Sequence, residues 1–389
     1  MYQFFAICPR GLEALLAEEL SGAGGDQLDV VAGGVGFAGD WRCCYRANLE
    51  SRIATRILWR LARTSYRREE DIYRLAYDVP WHQHFSADAT LRVDVTAIKS
   101  PLRSLDFITL RVKDAVCDRF RAECGRRPNV DTRAPDVRIQ VFLTAEEVTL
   151  YIDTSGAPLY KRGFKRAAVE APLKENLAAG ILMLTSWAPD EPLLDTMCGS
   201  GTFLIEAAQM ALGIAPGAGR SFGFQQLADF DESLWRNVLR EAEERRRSPG
   251  RLEIYGSDLY GEQLKRAREN LAAAGLAERV PLKQANILEL TPPPGSSGVM
   301  IANPPYGARL GEKDALSALY PQIGDALKQR FAGWRCYFFS ADKELPRLIG
   351  LRTSRRIPLF NGPLECRLYE YRMIQGTVKA EKPPRAEQE

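Results

Sequence analysis

The segment that decides the fold is Leu194-Asp195-Thr196-Met197-Cys198-Gly199-Ser200-Gly201-Thr202-Phe203, in which an apolar run ends in an acid and a glycine-containing turn follows. It predicts a short strand, a tight loop and a helix from about Thr202, because open α/β sheets bind ligands where strands end in such turns. The spacing is not that of a dinucleotide fingerprint, and no phosphate-binding lysine follows. Asp195 at the strand end would repel a pyrophosphate and attract a cation, so an amino or sulfonium group is the expected ligand.

Around this segment, strands and helices alternate along the second half of the chain. This alternation predicts an α/β domain in which helices cover both faces of a mostly parallel sheet. After residue 376 the chain is polar and contains Pro383-Pro384, so 377–389 is predicted to be a disordered tail. Strands are predicted at 193–195, 252–257, 280–284, 298–302 and 334–340, with a final pair at 352–357 and 365–372, and helices at 173–187, 202–212, 231–247, 260–274 and 314–331.

A second acid ends the next predicted strand, in Ile254-Tyr255-Gly256-Ser257-Asp258. An acid at this place can accept hydrogen bonds from both hydroxyl groups of a ribose. Asp258 follows the glycine loop at much more than the usual spacing of about 20 residues. An insertion with a basic helix ending in Arg245-Arg246-Arg247 explains the excess. The alternative is that Asp258 only caps the helix that follows it.

A third segment, Val299-Met300-Ile301-Ala302-Asn303-Pro304-Pro305-Tyr306-Gly307, ends a buried strand abruptly. The prolines remove two backbone donors and stiffen the turn, so the Asn303 side-chain oxygen and the Pro304 carbonyl are held as acceptors. Tyr306 offers a flat face on which a base can stack. Two acceptors and a ring suit an exocyclic aromatic amine. By itself, the segment is also compatible with a proline-rich loop that merely ends a strand.

The first half of the chain is predicted to be an α+β region with antiparallel pairing, strands near 91–96 and 137–143, and a helix at 105–124. Arginines recur there at three- and four-residue steps, which would align them on one face of a helix. Such a stripe suits RNA phosphates, although a solvated helix face explains it equally well. The candidate RNA contacts are Arg52, Arg56, Arg60, Arg63 and Arg67, with Lys161 and Arg162 from the basic segment between the two halves.

Composition excludes several classes of protein. The 389 residues include 45% hydrophobic and 26% charged residues, with 53 Lys and Arg against 50 Asp and Glu, which is an ordinary globular mixture. No apolar run approaches the roughly 18 residues of a membrane helix, and the N-terminus resembles a first strand rather than a signal peptide. Eight cysteines without a CxxC pair and only two histidines argue against a metal site. A cytoplasmic protein with reduced thiols is expected.

The three site segments together resemble the class I S-adenosylmethionine-dependent methyltransferases that carry an Asn-Pro-Pro-aromatic signature. Further stretches are similar to the bacterial 23S rRNA guanine-N2 methyltransferases, which join a ferredoxin-like part and a THUMP RNA-binding domain to a Rossmann-like catalytic domain. The resemblance implies a ferredoxin-like part at 1–50, THUMP at 51–157 and the methyltransferase at 158–376. The similar stretches are Asp153-Thr154-Ser155-Gly156, Lys161-Arg162-Gly163-Phe164, Ala171 to Ala179, Asn361 to Cys366, Lys113 to Phe120 and Arg127 to Asp131.

The resemblance also implies roles for individual residues. Asp195, Cys198, Gly199, Ser200, Gly201 and Thr202 would surround the methionine part of S-adenosylmethionine, and Asp258 would hold its ribose. Asn303, Pro304, Pro305 and Tyr306 would hold the target amine and base. Asn286 and Ile287 would contact adenine, with an amide at Asn286 where an acid is usual, so altered contacts rather than lost binding are expected.

The expected activity is therefore methylation of the N2 amine of a guanine in 23S rRNA, free or within a large-subunit assembly intermediate, without metal or membrane. Two alternatives remain within enzymes: a guanine of tRNA, or adenine-N6 in RNA or DNA. A third, from another class, is a non-catalytic RNA assembly factor that retains the fold. The sequence does not specify the oligomeric state.

Overall fold

The computed structural model describes residues 1–165, 173–248, 250–293, 297–305 and 312–374. The predicted tail at 377–389 therefore lies outside the described residues. Each half of the chain builds one seven-stranded sheet. In the first half the strands are β1 (Tyr2–Ile7), β2 (Asp26–Val31), β3 (Gly34–Gly39), β4 (Arg56–Ser65), β5 (Leu91–Ala97), β6 (Val137–Leu143) and β7 (Glu147–Asp153), and the helices are α1 (Glu13–Gly22), α2 (Trp41–Glu50), α3 (Glu69–Asp78) and α4 (Leu105–Cys124).

The first sheet has the order β2-β3-β1-β4-β7-β6-β5 and pairs its strands antiparallel, except for parallel β5 and β6. Helix α4 connects these two strands and occupies the predicted range. It begins after Ser104, whose Oγ accepts from the backbone N–H of Phe107, and ends at Gly125 in a left-handed conformation. Strand β4 pairs with both β1 and β7, so strands from before and after the predicted boundary at residues 50 and 51 belong to the same sheet. The division into 1–50 and 51–157 stays a prediction.

The predicted arginine helix over 52–67 is wrong. Helix α2 ends at Glu50, and residues 56–65 form strand β4 with a register shift between Arg60 and Ala62. Ile57 and Leu58 are adjacent residues that point to opposite faces of the sheet, and both are buried. The strand therefore lacks the alternation of apolar and polar residues by which a strand with one exposed face is recognised in a sequence. The arginines consequently do not share one helix face.

The second half has the predicted α/β architecture. Its sheet has the order β10-β9-β8-β11-β12-β14-β13, in which five adjacent strands are parallel, β14 is antiparallel to β12, and β13 pairs antiparallel with β14 at the edge. The strands are β8 (Leu193–Asp195), β9 (Ile254–Asp258), β10 (Leu282–Gln284), β11 (Val299–Ala302), β12 (Arg335–Ser340), β13 (Arg355–Asn361) and β14 (Leu364–Arg372), and the helices are α5 (Glu175–Leu184), α6 (Thr202–Ala211), α7 (Glu232–Glu244), α8 (Gly261–Ala273), α9 (Glu312–Arg330) and α10 (Leu345–Leu348).

The strand order reverses at β8. From this strand the chain continues to β9 on one side and later crosses to β11 on the other. Asp195 is therefore aligned with Gly256 of β9 and with Ile301 of β11. A crevice opens at such a switch point outside the carboxyl ends of the strands, and open α/β sheets bind their ligands there.

The two halves pack against each other through a continuous hydrophobic core. Polar contacts cross the boundary as well: the Asn176 side chain at the start of α5 donates to the Ile53 carbonyl at 3.1 Å. The backbone N–H of Gly217 donates to the Leu49 carbonyl at 2.9 Å. The first sheet is thus attached directly to the domain that carries the switch point.

Candidate active site

The glycine loop, residues 196–201, connects β8 to α6 and is tied to both neighbouring strands. The N–H of Thr196 donates to the Ile301 carbonyl on β11 at 3.1 Å, and that of Cys198 to the Ser257 carbonyl on β9 at 2.9 Å. Gly201 lies before the first residue of α6 with a φ of 79°, a conformation that other residues rarely adopt. The loop is therefore fixed across the switch point before any ligand binds.

Asp258 at the end of β9 forms a hydrogen bond with the glycine loop. Its Oδ2 accepts from the N–H of Gly199 and its Oδ1 from the N–H of Tyr260, both at 3.0 Å. Helix α8 begins only at Gly261, and its N-cap residue is Tyr260, without a side-chain cap. The alternative that Asp258 only caps this helix is therefore wrong. The carboxylate instead joins the glycine loop to the neighbouring strand.

Asp195 is almost completely buried at the tip of β8, with 1% of its surface exposed. Its Oδ1 accepts from the N–H of Met197 at 3.3 Å. Burial raises the pKa of this carboxyl well above its usual range, and the charge of Asp258 raises it further. A positively charged ligand group beside Asp195 would stabilise the ionised form. The crevice therefore suits the cationic methionine part of S-adenosylmethionine.

The predicted adenine contacts follow β10. The N–H of Ala285 donates to the Asp258 carbonyl at 3.1 Å, which places this turn beside the ribose candidate. Oδ1 of Asn286 accepts from the N–H of Leu288 at 3.0 Å, and Ile287 is buried. The amide oxygen has a second lone pair, so it can still accept from a ligand amine. The adenine assignment of Asn286 and Ile287 stays a prediction.

Asn303 and Pro304 leave the end of β11 at the other side of the crevice. Because Ile301 pairs with Asp195 and β11 ends at Ala302, Asn303 follows the strand two residues beyond the level of Asp195. Asn303 is half-buried, Pro304 is buried and Pro305 is exposed. Tyr306 lies outside the described residues, and its stacking role stays a prediction, as do the roles of the other three. The topology nevertheless brings the first and third sequence segments to adjacent strands.

One support of the glycine loop is not indicated by the sequence. The Asn270 side chain on α8 donates to the Ser200 carbonyl at 3.0 Å and so supports the loop from behind. Nothing in the sequence distinguishes this asparagine from an ordinary helix residue. Burial, with the charges of Asp195 and Asp258, raises the pKa of the Cys198 thiol. A raised pKa favours the neutral thiol, in agreement with a mechanism that needs no cysteine nucleophile, and the cofactor contact of Cys198 stays a prediction.

Two predicted RNA contacts are buried and serve the domain boundary instead. Arg162 Nε lies 3.3 Å from Glu206 Oε1 and Arg52 Nη1 lies 3.6 Å from Glu206 Oε2, while Glu206 on α6 is fully buried. Arg162 also donates to the Arg52 carbonyl at 2.8 Å. The prediction that Arg52 and Arg162 contact RNA is wrong for this conformation, because their side chains are enclosed between the two halves and bind a buried acid.

The other predicted RNA contacts differ in their surroundings. Arg56 pairs with Asp153 and donates to the Gly156 carbonyl at 2.7 Å, and Arg63 pairs with Glu147. Arg60 is half-buried, whereas Arg67 and Lys161 are exposed. Arg56 is thus occupied within the protein. The assignment of Arg60, Arg63, Arg67 and Lys161 to RNA stays a prediction.

In the part of the chain that the structure describes, no group of His, Cys, Asp and Glu side chains could hold a metal ion. The helices described there include none with both the length and the apolar character of a membrane span. The sheet order, the fixed glycine loop and the two acids together define a class I methyltransferase fold with a crevice for S-adenosylmethionine.

Comparison with known proteins gives the family. The chain matches the RlmL ferredoxin-like domain over residues 3–58, the THUMP domain over 66–153 and the RMKL-like methyltransferase domain over 162–370. The protein belongs to this RMKL-like methyltransferase family. It uses S-adenosylmethionine, and the resemblance and fold class predicted from the sequence are confirmed.

The relatives in sequence differ in length. The chain is 40% identical over 371 residues to the Synechocystis protein named "Putative RNA methyltransferase slr0064", covering 95% of this chain and 96% of that one. It is 40% identical over 401 residues to ribosomal RNA large subunit methyltransferase K/L of Aeromonas hydrophila, covering 98% of this chain and 56% of that one. The chain therefore spans about half the length of the K/L proteins.

Two solved structures share almost the entire fold. The protein SMU.472, in complex with SAH, superposes with a TM-score of 0.88 at 31% identity, covering 96% of this chain and 99% of that one. A Listeria monocytogenes protein described as a "predicted N6-adenine-specific DNA methylase" gives a TM-score of 0.87 at 31% identity, with 96% of both chains covered. The names of the relatives thus agree on methyl transfer and differ on the substrate.

Proposed function

We propose that the protein methylates the exocyclic N2 amine of a guanine in 23S rRNA, either free or within a large-subunit assembly intermediate. The observation that carries this proposal is the placement of Asn303 and Pro304 after β11, next to the Asp195 end of β8. The THUMP match over 66–153 and the names of the K/L relatives support RNA, and ribosomal RNA in particular, as the substrate. A cytoplasmic location stays a prediction.

Positioning is the main contribution of the chain to the proposed reaction. The bound cofactor supplies a methyl group on a positively charged sulfur, and that group needs no nucleophilic side chain to activate it. Asn303 Oδ1 and the Pro304 carbonyl would accept the two N–H groups of the amine and orient its lone pair. Correct placement of two reacting groups contributes about 7–11 kcal/mol to such a reaction.

The same two acceptors would also favour the transition state over the bound substrate. The amine nitrogen would gain positive charge as its bond to the methyl carbon forms and the methyl–sulfur bond breaks, with the electron pair staying on a neutral thioether. Its N–H groups would then be better donors to Asn303 and Pro304, and loss of one N–H proton would complete the transfer. The buried carboxylates of Asp195 and Asp258 would hold the cofactor ends. A target within an RNA helix must first be unstacked into the crevice, which costs a few kcal/mol.

Adenine-N6 is the second candidate, because it also offers an exocyclic amine and because the Listeria protein carries that specificity in its name. A tRNA guanine is a third candidate. A non-catalytic assembly role is disfavoured by the fixed glycine loop and its two acids, which such a role would not require.

The experiment that separates these candidates is methyl transfer to purified substrates. The protein is incubated with labelled S-adenosylmethionine and with 23S rRNA, partly assembled large subunits, tRNA or DNA, and the labelled nucleoside is identified by mass spectrometry. The proposal expects N2-methylguanosine from 23S rRNA or from the particles. Label in N6-methyladenosine, or only in tRNA or DNA, would contradict it, and absence of cofactor binding in calorimetry would favour the assembly role.

A further inference from the structure

A cavity of about 190 Å³ lies where the first sheet meets the methyltransferase domain. One wall is the segment that follows β1, the second is the start of α5, and the third is the hairpin of β13 and β14. Its volume is below the about 300–1,000 Å³ of drug-sized ligand sites, so it suits one small charged group. Its walls include Cys8, Arg10, Thr55, Lys174, Phe360 and Gly362.

Two cations line this cavity. The Arg10 guanidinium lies over the Phe360 ring, 4.4 Å from its centre, and the Lys174 Nζ lies 5.0 Å from the centre of the Tyr160 ring. Within the described residues neither cation forms an ion pair with a carboxylate, although most other arginines of the chain do. The nearby acid Glu13 instead accepts from the backbone N–H groups of Gly11 and Gly33.

The Phe360 ring prepares Arg10 for binding an anion. A guanidinium held over an aromatic ring keeps its N–H donors in its own plane, where they remain available to an anion. Those donors can then contact two oxygens of one phosphate, while the lysine supplies a compact charge beside it. Arg10 is exposed and Lys174 half-buried, so the cavity opens to the surface.

The cavity opens at the same edge of the second sheet as the crevice. β14 starts beside the end of β12, where Ser340 pairs with Arg367, so Gly362 lies at the carboxyl edge of the parallel strands. Lys174 precedes α5, which runs back to the start of β8, and so it lies at this edge too. Arg10 follows β1, whose neighbour β4 pairs with β7 of the THUMP region. The cavity thus lies where the predicted RNA-binding half meets the methyltransferase domain, at the same edge of the second sheet as the crevice.

We propose that this junction cleft, formed by Arg10, Lys174 and Phe360, binds a backbone phosphate of the substrate RNA at the same edge of the sheet as the crevice. The inference rests on the proposed function, since it assumes an RNA substrate. It assigns the RNA contact to residues that the sequence did not single out, in place of the buried Arg52 and Arg162.

The test compares the salt dependence of RNA binding in two matched double variants. The cleft variant is Arg10→Gln with Lys174→Gln. The control is Arg251→Gln with Lys328→Gln, which removes one arginine and one lysine that precede β9 and β12, at the opposite edge of the sheet. Both variants are first checked for S-adenosylhomocysteine binding by calorimetry and for thermal unfolding, so that a folding defect is recognised. Binding of a 23S rRNA fragment is then measured between 50 and 300 mM salt.

The cleft variant should bind the fragment more weakly, and the slope of log K against log salt should become shallower by about 1, as expected for the loss of one phosphate contact. The control should keep the slope of the unaltered protein. Equal slopes for all three proteins would overturn the cleft and leave the proposed function intact. If the unaltered protein binds no RNA at all, the proposed function itself fails, and the cleft fails with it.

Discussion

The backbone N–H of Gly199 donates to the Asp258 carboxylate at 3.0 Å, and this bond joins the loop after β8 to the end of β9. Asp258 also accepts from Tyr260, so a single side chain determines the relative position of the glycine loop and the start of α8. The carboxylate that is proposed to hold the ribose therefore also shapes the loop that holds the methionine part of the cofactor.

Replacing Asp258 should weaken the cofactor site from both sides. Asp258→Ala removes the acceptor of the loop and the proposed acceptor of the ribose, so S-adenosylmethionine affinity should fall about 10- to 100-fold, as expected for hydrogen bonds to a charged group. Titration calorimetry measures this directly. Glu262→Gln, an exposed acid in the first turn of α8, is the control and should keep its affinity. Unchanged affinity in Asp258→Ala would refute the ribose assignment.

Asp195 should destabilise the cofactor-free protein at neutral pH. Because burial raises its pKa above the unfolded value, its contribution to stability is complete only at low pH and is lost as the pH rises through the folded pKa. Asp195→Asn should therefore raise the unfolding temperature without cofactor at pH 7 and weaken cofactor binding. Differential scanning calorimetry at pH 5 and pH 7 should show a larger gain at pH 7. A lower unfolding temperature at pH 7 would contradict this account.

Asn303 should affect catalysis rather than cofactor binding. Asn303→Ala removes one proposed acceptor of the target amine, so methyl transfer should fall about 100- to 1,000-fold, the range for losing one positioned group that stabilises a transition state. The dissociation constant for S-adenosylhomocysteine should change little, because Asn303 follows β11 and Asp258 follows β9. An equal loss of both quantities would mean that the two roles are not separate.

The Cys198 thiol should be dispensable and unreactive. Its pKa is raised by burial and by two nearby acids, so it stays protonated at pH 8, whereas Cys124 is exposed. Brief treatment with iodoacetamide at pH 8 should label Cys124 in preference to Cys198, and Cys198→Ala should keep most of its methyl transfer. Rapid labelling of Cys198, or complete inactivity of the alanine variant in a folded protein, would point to a covalent mechanism.

The catalytic half of the fold could be predicted because its signals are local. Asp195 and Asp258 each end a short strand and Asn303 directly follows one, and the order of these strands in the sheet determines which of the three residues meet. The arginine stripe resembles a helix face in the sequence because β4 is buried on both faces near Ile57 and contains a bulge after Arg60, so the spacing of its charges is that of a helix. The partner of Arg52 and Arg162 is Glu206 on a distant helix, and no local pattern indicates such a pairing.

The corrected role of Arg162 gives a stability prediction. Arg162→Ala removes one of the two positive charges beside the buried Glu206 carboxylate, so the negative charge of Glu206 is less well balanced. The free energy of unfolding should therefore fall by about 3–5 kcal/mol. Urea unfolding measures this change. Arg236→Ala, which breaks an exposed pair on α7, is the control and should cost no more than about 0.5 kcal/mol. Equal and small effects for both variants would show that the buried pair does not hold the two halves together.

The central claim is that methyl transfer occurs in the crevice between the ends of β8 and β11. The most direct test is a crystal structure of this chain with S-adenosylhomocysteine, in which the sulfur marks the position of the transferred methyl group. We expect the ribose at Asp258, and the sulfur on the side of β8 that faces Asn303. A sulfur directed toward β9 and β10, with Asn303 behind the adenine or out of reach, would contradict the account.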